Sequence, residues 1–244
     1  MGFNPASSGQ QSNPDMVLVA RGLPDETGKK AKLVTDAADA FLEGPGSVDK
    51  LDVKDVAKRM EKHVWGVRAA EFDADQVRHL VDGGCDFIVF ESMSTEAAVL
   101  NQEEPAIVAT VSSDLGEQAI RAINDLQVDA VLFSPPQRDL PLTVEKLIDI
   151  QLVLGMVEMP FLIEAPLGMG AADLEVLRNL GVAGVIVDAS PPEKIVELRS
   201  AIDGLPRRKP RPGRDDAVVP RQVFEAGHDT HEPPDEDDDE YEDF

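Results

Sequence analysis

Residues Cys85-Asp86-Phe87-Ile88-Val89-Phe90-Glu91 place a small and an acidic residue before four consecutive apolar ones and close on a carboxylate. A strand with one wet face would alternate apolar and polar residues. An unbroken apolar run suits a parallel strand covered on both faces. A small or acidic entry, a continuous apolar core and a polar exit return in Ala38-Asp39-Ala40-Phe41-Leu42-Glu43, Val128-Asp129-Ala130-Val131-Leu132-Phe133-Ser134 and Ala183-Gly184-Val185-Ile186-Val187-Asp188. Four more short apolar runs, at 16–20, 64–67, 106–111 and 160–163, interleave with these. The eight runs begin 20 to 31 residues apart, and the segments between them have helical spacing, so a βα unit is repeated eight times. Such even spacing favours a closed ring over an open sheet. The predicted fold class is α/β, a compact (β/α)8 barrel of the TIM type, which needs roughly 200 to 250 residues. The chain has 244.

The second strand is open to another reading, because 29–43 could form one continuous helix and leave seven strands. The likeness of Asp39-Ala40-Phe41-Leu42 to Asp129-Ala130-Val131-Leu132 carries the strand. Helices are predicted over 73–82, 94–102, 115–126, 143–157, 172–180 and 191–202. The last opens with Ser190-Pro191-Pro192-Glu193, which reads as a capping box with proline at the first helical position. Helix 143–157 is apolar around more than one face, whereas a barrel helix needs a single stripe. Two readings follow: burial beneath a neighbouring loop, or a contact between subunits of a homo-oligomer.

The barrel is expected to span 16–204, between disordered tails at 1–15 and 205–244. The N-terminal stretch is polar, without the basic-then-apolar layout of a signal peptide. Beyond Gly204, a basic, proline-rich run at 207–214 gives way to an almost wholly acidic end at 233–244, compositions that do not build a core. The formal charge is −24, of which −7 falls after Gly204 and −17 before it, so the barrel itself is acidic. A field of that sign repels nucleic acid and anionic membranes. Neither is an expected partner, and no apolar run reaches the roughly 20 residues that span a bilayer. The single cysteine, Cys85, allows no internal disulfide and fits a reducing cytoplasm, the expected location.

In such barrels chemistry sits where the strands exit. The exits are Arg21, Glu43, Arg68, Glu91, Thr110 with Ser112, Ser134, Glu164 and Asp188. From Asp188 through Arg21, Glu43 and Arg68 to Glu91 the signs alternate over five neighbouring strands. One reading is a self-neutralised rim of ion pairs. The other is that Arg21 and Arg68 grip an anionic substrate by their guanidinium forks while carboxylates act as acid and base or hold a cation. Glu164 has only Ser134 and Asp188 as strand neighbours, so it is expected to be unpaired, with a raised pKa.

The expected catalytic set is Glu164, Glu91 and Asp188. The expected substrate-binding set is Arg68, Arg21 and Ser134, with the backbone of Gly168 and Gly170 in the loop after strand seven. Glu164 and Asp188 are the expected ligands of a Mg²⁺ ion. The phosphate cradle that many barrels build after strands seven and eight is half dismantled here: Pro191 and Pro192 have no N–H, and Ser190 is assigned to capping. No lysine or histidine ends a strand, which disfavours Schiff-base and zinc-hydrolase chemistry. The function read from this pattern is an enzyme acting on a small carboxylated or phosphorylated metabolite, as a lyase or isomerase. The rival is a barrel without catalysis that binds or assembles through helix 143–157 and the acidic tail.

Overall fold

Eight parallel strands close into a barrel in chain order, and the ring is sealed by pairing of the last strand with the first. The computed structural model describes residues 16–22, 28–44, 48–60, 62–91 and 93–206. Both predicted tails lie outside them except for Leu205 and Pro206. The strands are β1 (Val17–Arg21), β2 (Ala40–Glu43), β3 (Val64–Ala69), β4 (Phe87–Phe90), β5 (Ala106–Val111), β6 (Ala130–Phe133), β7 (Phe161–Glu164) and β8 (Gly184–Asp188). The helices are α1 (Lys29–Ala37), α2 (Val53–Met60), α3 (Ala74–Asp82), α4 (Glu117–Ala122), α5 (Val144–Leu154), α6 (Ala171–Leu180) and α7 (Pro192–Asp203). The fold is the (β/α)8 TIM barrel. The doubtful second strand forms, because α1 stops at Ala37 and Ala38 turns extended.

Two apolar clusters divide the interior. Val19, Ala40, Leu42, Val89, Val108, Leu132 and Ile186, with Val17, Phe87, Ala130 and Leu162, fill the lumen. A larger cluster, including Phe41, Val67, Phe90, Phe133 and Ile163, lies between strands and helices. Successive strand side chains point to opposite faces, so the lumen set fixes which exit residues also face inward. Small and large residues interlock there. A Cβ on Gly66 would come within 2.4 Å of the Phe87 carbonyl oxygen and 2.5 Å of its ring, so the absence of a side chain makes room for Phe87.

The acidic residue before β2, β4 and β6 has a structural task. Leu18 N–H donates to Asp39 Oδ2 at 2.8 Å, Trp65 N–H to Asp86 Oδ2 at 2.9 Å and Ile107 N–H to Asp129 Oδ2 at 2.7 Å. In return the backbone N–H of each aspartate donates to the carbonyl of that same residue. Ala183 N–H bonds Phe161 O in the same way, but the fourth unit has no carboxylate to complete the loop. The barrel is thus built from four strand pairs, β1–β2, β3–β4, β5–β6 and β7–β8, three with a clasp at the closed end.

Several helix expectations change. The segment expected as helix 94–102 forms only a 3-10 turn, Ala97–Asn101. Thr95 Oγ1 accepts from Phe72 N and Glu96 Oε2 from Ala74 N, which holds the preceding residues against the start of α3. Helix 115–126 shortens to α4 and a 3-10 turn, Ile123–Asp125, where Asn124 bonds Met156 O and Glu158 N. The capping box at Ser190 does not form. Helix α7 starts at Pro192, so Pro191, which has no side-chain oxygen, takes the capping position. Burial of helix 143–157 under a loop is also corrected: in α5, Val144, Ile148 and Leu152 are 73%, 55% and 61% exposed.

Candidate functional site

One residue of stagger per strand, read from the pairing register, brings Arg21, Arg68, Thr110 and Glu164 to one height in the barrel. All four lie on odd-numbered strands and face the lumen, forming its uppermost layer of four. One step above stand Asp188, the last residue of β8, and Glu91 and Ser134, which directly follow β4 and β6. Glu43 is the exception among the exits. Ala40 and Leu42 of β2 face the lumen, so Glu43 turns to the helix side and does not join the alternating ring.

Glu164 takes the central place instead. Its side chain is 2% exposed, and its oxygens have four partners. Arg21 Nη1 donates to Oε1 at 3.1 Å, and Arg68 Nη1 reaches the same oxygen from the opposite strand. Ser134 Oγ donates to Oε2 at 2.8 Å, and Arg138 Nη1 lies 2.5 Å from it. A carboxylate offers about four lone-pair positions, and all are used. The arginines continue outward: Arg68 Nε donates to Glu91 Oε1 at 2.5 Å, and Arg21 Nη2 lies 2.6 Å from Asp188 Oδ1. The charges run Asp188, Arg21, Glu164, Arg68, Glu91 across the mouth, with Arg138 as a third cation on the centre.

The expected unpaired Glu164 with a raised pKa is therefore corrected. Burial pushes its pKa up, but the Arg68 and Ser134 hydrogen bonds and the charges of Arg68 and Arg138 outweigh it and hold the carboxyl below its ordinary value. Sequence neighbours missed this because Arg68 crosses from four strands away and Arg138 returns from the β6–α5 loop. Burial likewise opposes the charge of Arg68, and its bonds to Glu164 and Glu91 overcome that and raise its pKa. Glu91 and Asp188 are 45% and 62% exposed and hold one arginine each, so they remain accessible to a ligand.

The donor set does not fit a Mg²⁺ ion at Glu164 and Asp188. Three guanidinium groups surround Glu164, its lone pairs are taken, and no group of three or more His, Cys, Asp or Glu suited to a metal occurs among the described residues. Ser134, expected to bind substrate, is committed on both sides: it donates to Glu164 and accepts from Arg138 Nη2 at 2.8 Å. Gly170 caps α6, and its N–H donates to Asp173 Oδ2 at 3.2 Å, which removes that donor from the expected anion loop. Gly168 holds a φ of +98°, a conformation that favours glycine whether or not a ligand is near.

Arg138 is the residue that sequence reasoning missed. Its signal was a lone basic residue after the stiff pair Pro135-Pro136, one strand from Glu164. Cys85 is buried near the closed end, and burial pushes its thiol up to about 12, which fits a packing role.

No protein-family model and no curated protein sequence matches the chain. Solved structures do match its fold. Orotidine 5'-phosphate decarboxylase from Pyrococcus horikoshii OT3 superposes with a TM-score of 0.59 at 15% identity, over 78% of this chain and 100% of that one. KGPDC from Streptococcus mutans gives 0.59 at 12% identity, over 77% and 97%. N-(5'-phosphoribosyl)anthranilate isomerase from Pyrococcus furiosus gives 0.55 at 13% identity, over 78% and 100%. At these identities the likeness establishes the fold alone.

Proposed function

We propose that this barrel is an enzyme acting on a small carboxylated or phosphorylated metabolite, with lyase or isomerase chemistry by proton transfer at its mouth. The observation that carries the reading is the convergence of Arg21, Arg68 and Arg138 on one buried carboxylate at the C-terminal ends of the strands. Glu164 is the positioning residue: it anchors the inner edges of three guanidinium groups and orients their remaining N–H groups. An incoming anion replaces the exposed Asp188 and Glu91 on Arg21 and Arg68, since guanidinium forks match carboxylate and phosphate geometry. The released Glu91 and Asp188 then stand beside the ligand as acid and base. The structural neighbours named for a phosphate-ester decarboxylase and a phosphoribosyl isomerase favour this substrate class. Lone Cys85 and the acidic composition accord with a cytoplasmic enzyme. Among the described residues no helix is long and apolar enough to cross a membrane.

Thermal shift of the full chain against inorganic phosphate and small carboxylates tests the proposal, because ligands bound only by the native state raise its melting temperature. We expect a concentration-dependent shift that Arg68→Lys, which keeps the charge and loses the fork, reduces. No shift with any anion would sink the reading.

A second reading, a scaffold without catalysis, is favoured by two observations. Glu91, Asp188 and Glu164 are all ion-paired, and the cavity bordering Glu164 and Arg138 holds only about 30 Å³. The exposed stripe of Val144, Ile148 and Leu152 on α5 would then serve self-association.

A further inference from the structure

Thr110 shares the uppermost lumen layer with Arg21, Arg68 and Glu164, on β5 directly across the ring from Arg21 on β1. Its Oγ1 is buried and has no hydrogen-bond partner among the described residues. Every other polar side chain at this level and the one above it, Ser134 included, has at least one partner. A buried hydroxyl left without a partner is destabilising. Valine has nearly the same shape, and the flanking lumen residue Val108 is one, so the fold does not require a hydroxyl here.

We infer that Thr110 is a specificity-determining residue whose hydroxyl bonds a hydroxyl or carbonyl oxygen next to the ligand's anionic group. The substrate is then a hydroxy- or oxo-substituted acid or phosphate ester rather than a plain one. The inference rests on the arginine cluster being an anion site. The arginines take the charged group; across the barrel Thr110 takes the neutral oxygen, while Ser134, expected to bind substrate, is committed to Glu164 and Arg138. A site built to bond a substrate hydroxyl discriminates strongly against the analogue lacking it, because its own polar group is then left unpaired.

The test is calorimetric titration of the full chain with matched pairs: malate against succinate, glycolate against acetate, and glycerol phosphate against propyl phosphate. The hydroxylated member of a pair is expected to bind about tenfold or more tightly, the size of one well-made hydrogen bond. Thr110→Val is expected to abolish that preference while keeping affinity for the plain anion, and Thr110→Ser to retain it. The melting temperature of Thr110→Val is expected to be unchanged or higher, since no bond within the protein is lost. Anion binding without preference, or a preference that survives Thr110→Val, overturns the assignment of Thr110 alone. Binding of none of these anions overturns the arginine site and this inference with it.

Discussion

Arg138 Nη1 lies 2.5 Å from Glu164 Oε2, although one residue sits in the loop after β6 and the other ends β7. The contact closes the third side of a cage whose other walls are Arg21 and Arg68. It turns an isolated acid in the sequence into the most heavily paired carboxylate of the mouth. Its energetics follow the rule for buried charges at the inner pair: Glu164 is 2% and Arg68 13% exposed, so removing the carboxylate leaves a largely buried guanidinium without that counter-charge, while Arg21 and Arg138 stay partly in water.

Glu164→Gln is accordingly expected to destabilise the protein by about 3–5 kcal/mol, the range for breaking a buried pair. Urea unfolding would measure it. A loss within the roughly 0–1 kcal/mol of a surface pair would show that the cage contributes little.

The lowered pKa of Glu164 sets the direction of its pH dependence. Its folded value lies below the unfolded carboxyl value of about 4.3, so between the two the unfolded state binds more protons and stability rises with pH. The Glu164 contribution is fully present above the unfolded value and is lost as pH falls through the folded one. Stability measured from pH 6 down to pH 2 should fall less steeply at the acid end in Glu164→Gln than in the wild type. Parallel curves would contradict the assignment.

The clasps at the closed end predict paired effects of opposite sign. Removing the acceptor in Asp86→Ala leaves Trp65 N–H unpaired and should cost about 1–3 kcal/mol. Ala183→Asp supplies the fourth unit with the carboxylate its siblings have and should stabilise by about 0.5–1.5 kcal/mol. Thermal unfolding of both variants checks the pair, and a destabilised Ala183→Asp would show that the fourth unit departs from the others in its backbone.

For the scaffold reading, Ile148 is decisive because it sits mid-stripe on α5 and is 55% exposed. If that face joins two copies, sedimentation should find a dimer that Ile148→Glu converts to monomer. A wild-type protein that stays monomeric at working concentrations removes the self-association arm of that reading, leaving the enzyme proposal untouched.

The order of elements was legible because burial on both faces writes itself locally: Phe87-Ile88-Val89-Phe90 needs no distant residue to be recognised as a covered strand. Spacing then gave the ring, and strand ends gave the candidate residues. Arg21, Arg68, Glu91, Ser134, Glu164 and Asp188 do meet at one mouth. The sequence could not say which of them touch. Facing direction depends on a strict alternation that shifts by one residue with the start of a strand, and this turned Glu43 away from the lumen while leaving Arg21 inside it. The partners of Glu164 come from β1, β3 and the segment that follows β6, brought together by closure and stagger. Local sequence thus determined the strands, their order and the mouth's inventory of charges. Only closure of the ring decided that the residue read as the free acid is the one held by three arginines, because distance across a barrel is a property of the closed ring that no local pattern records.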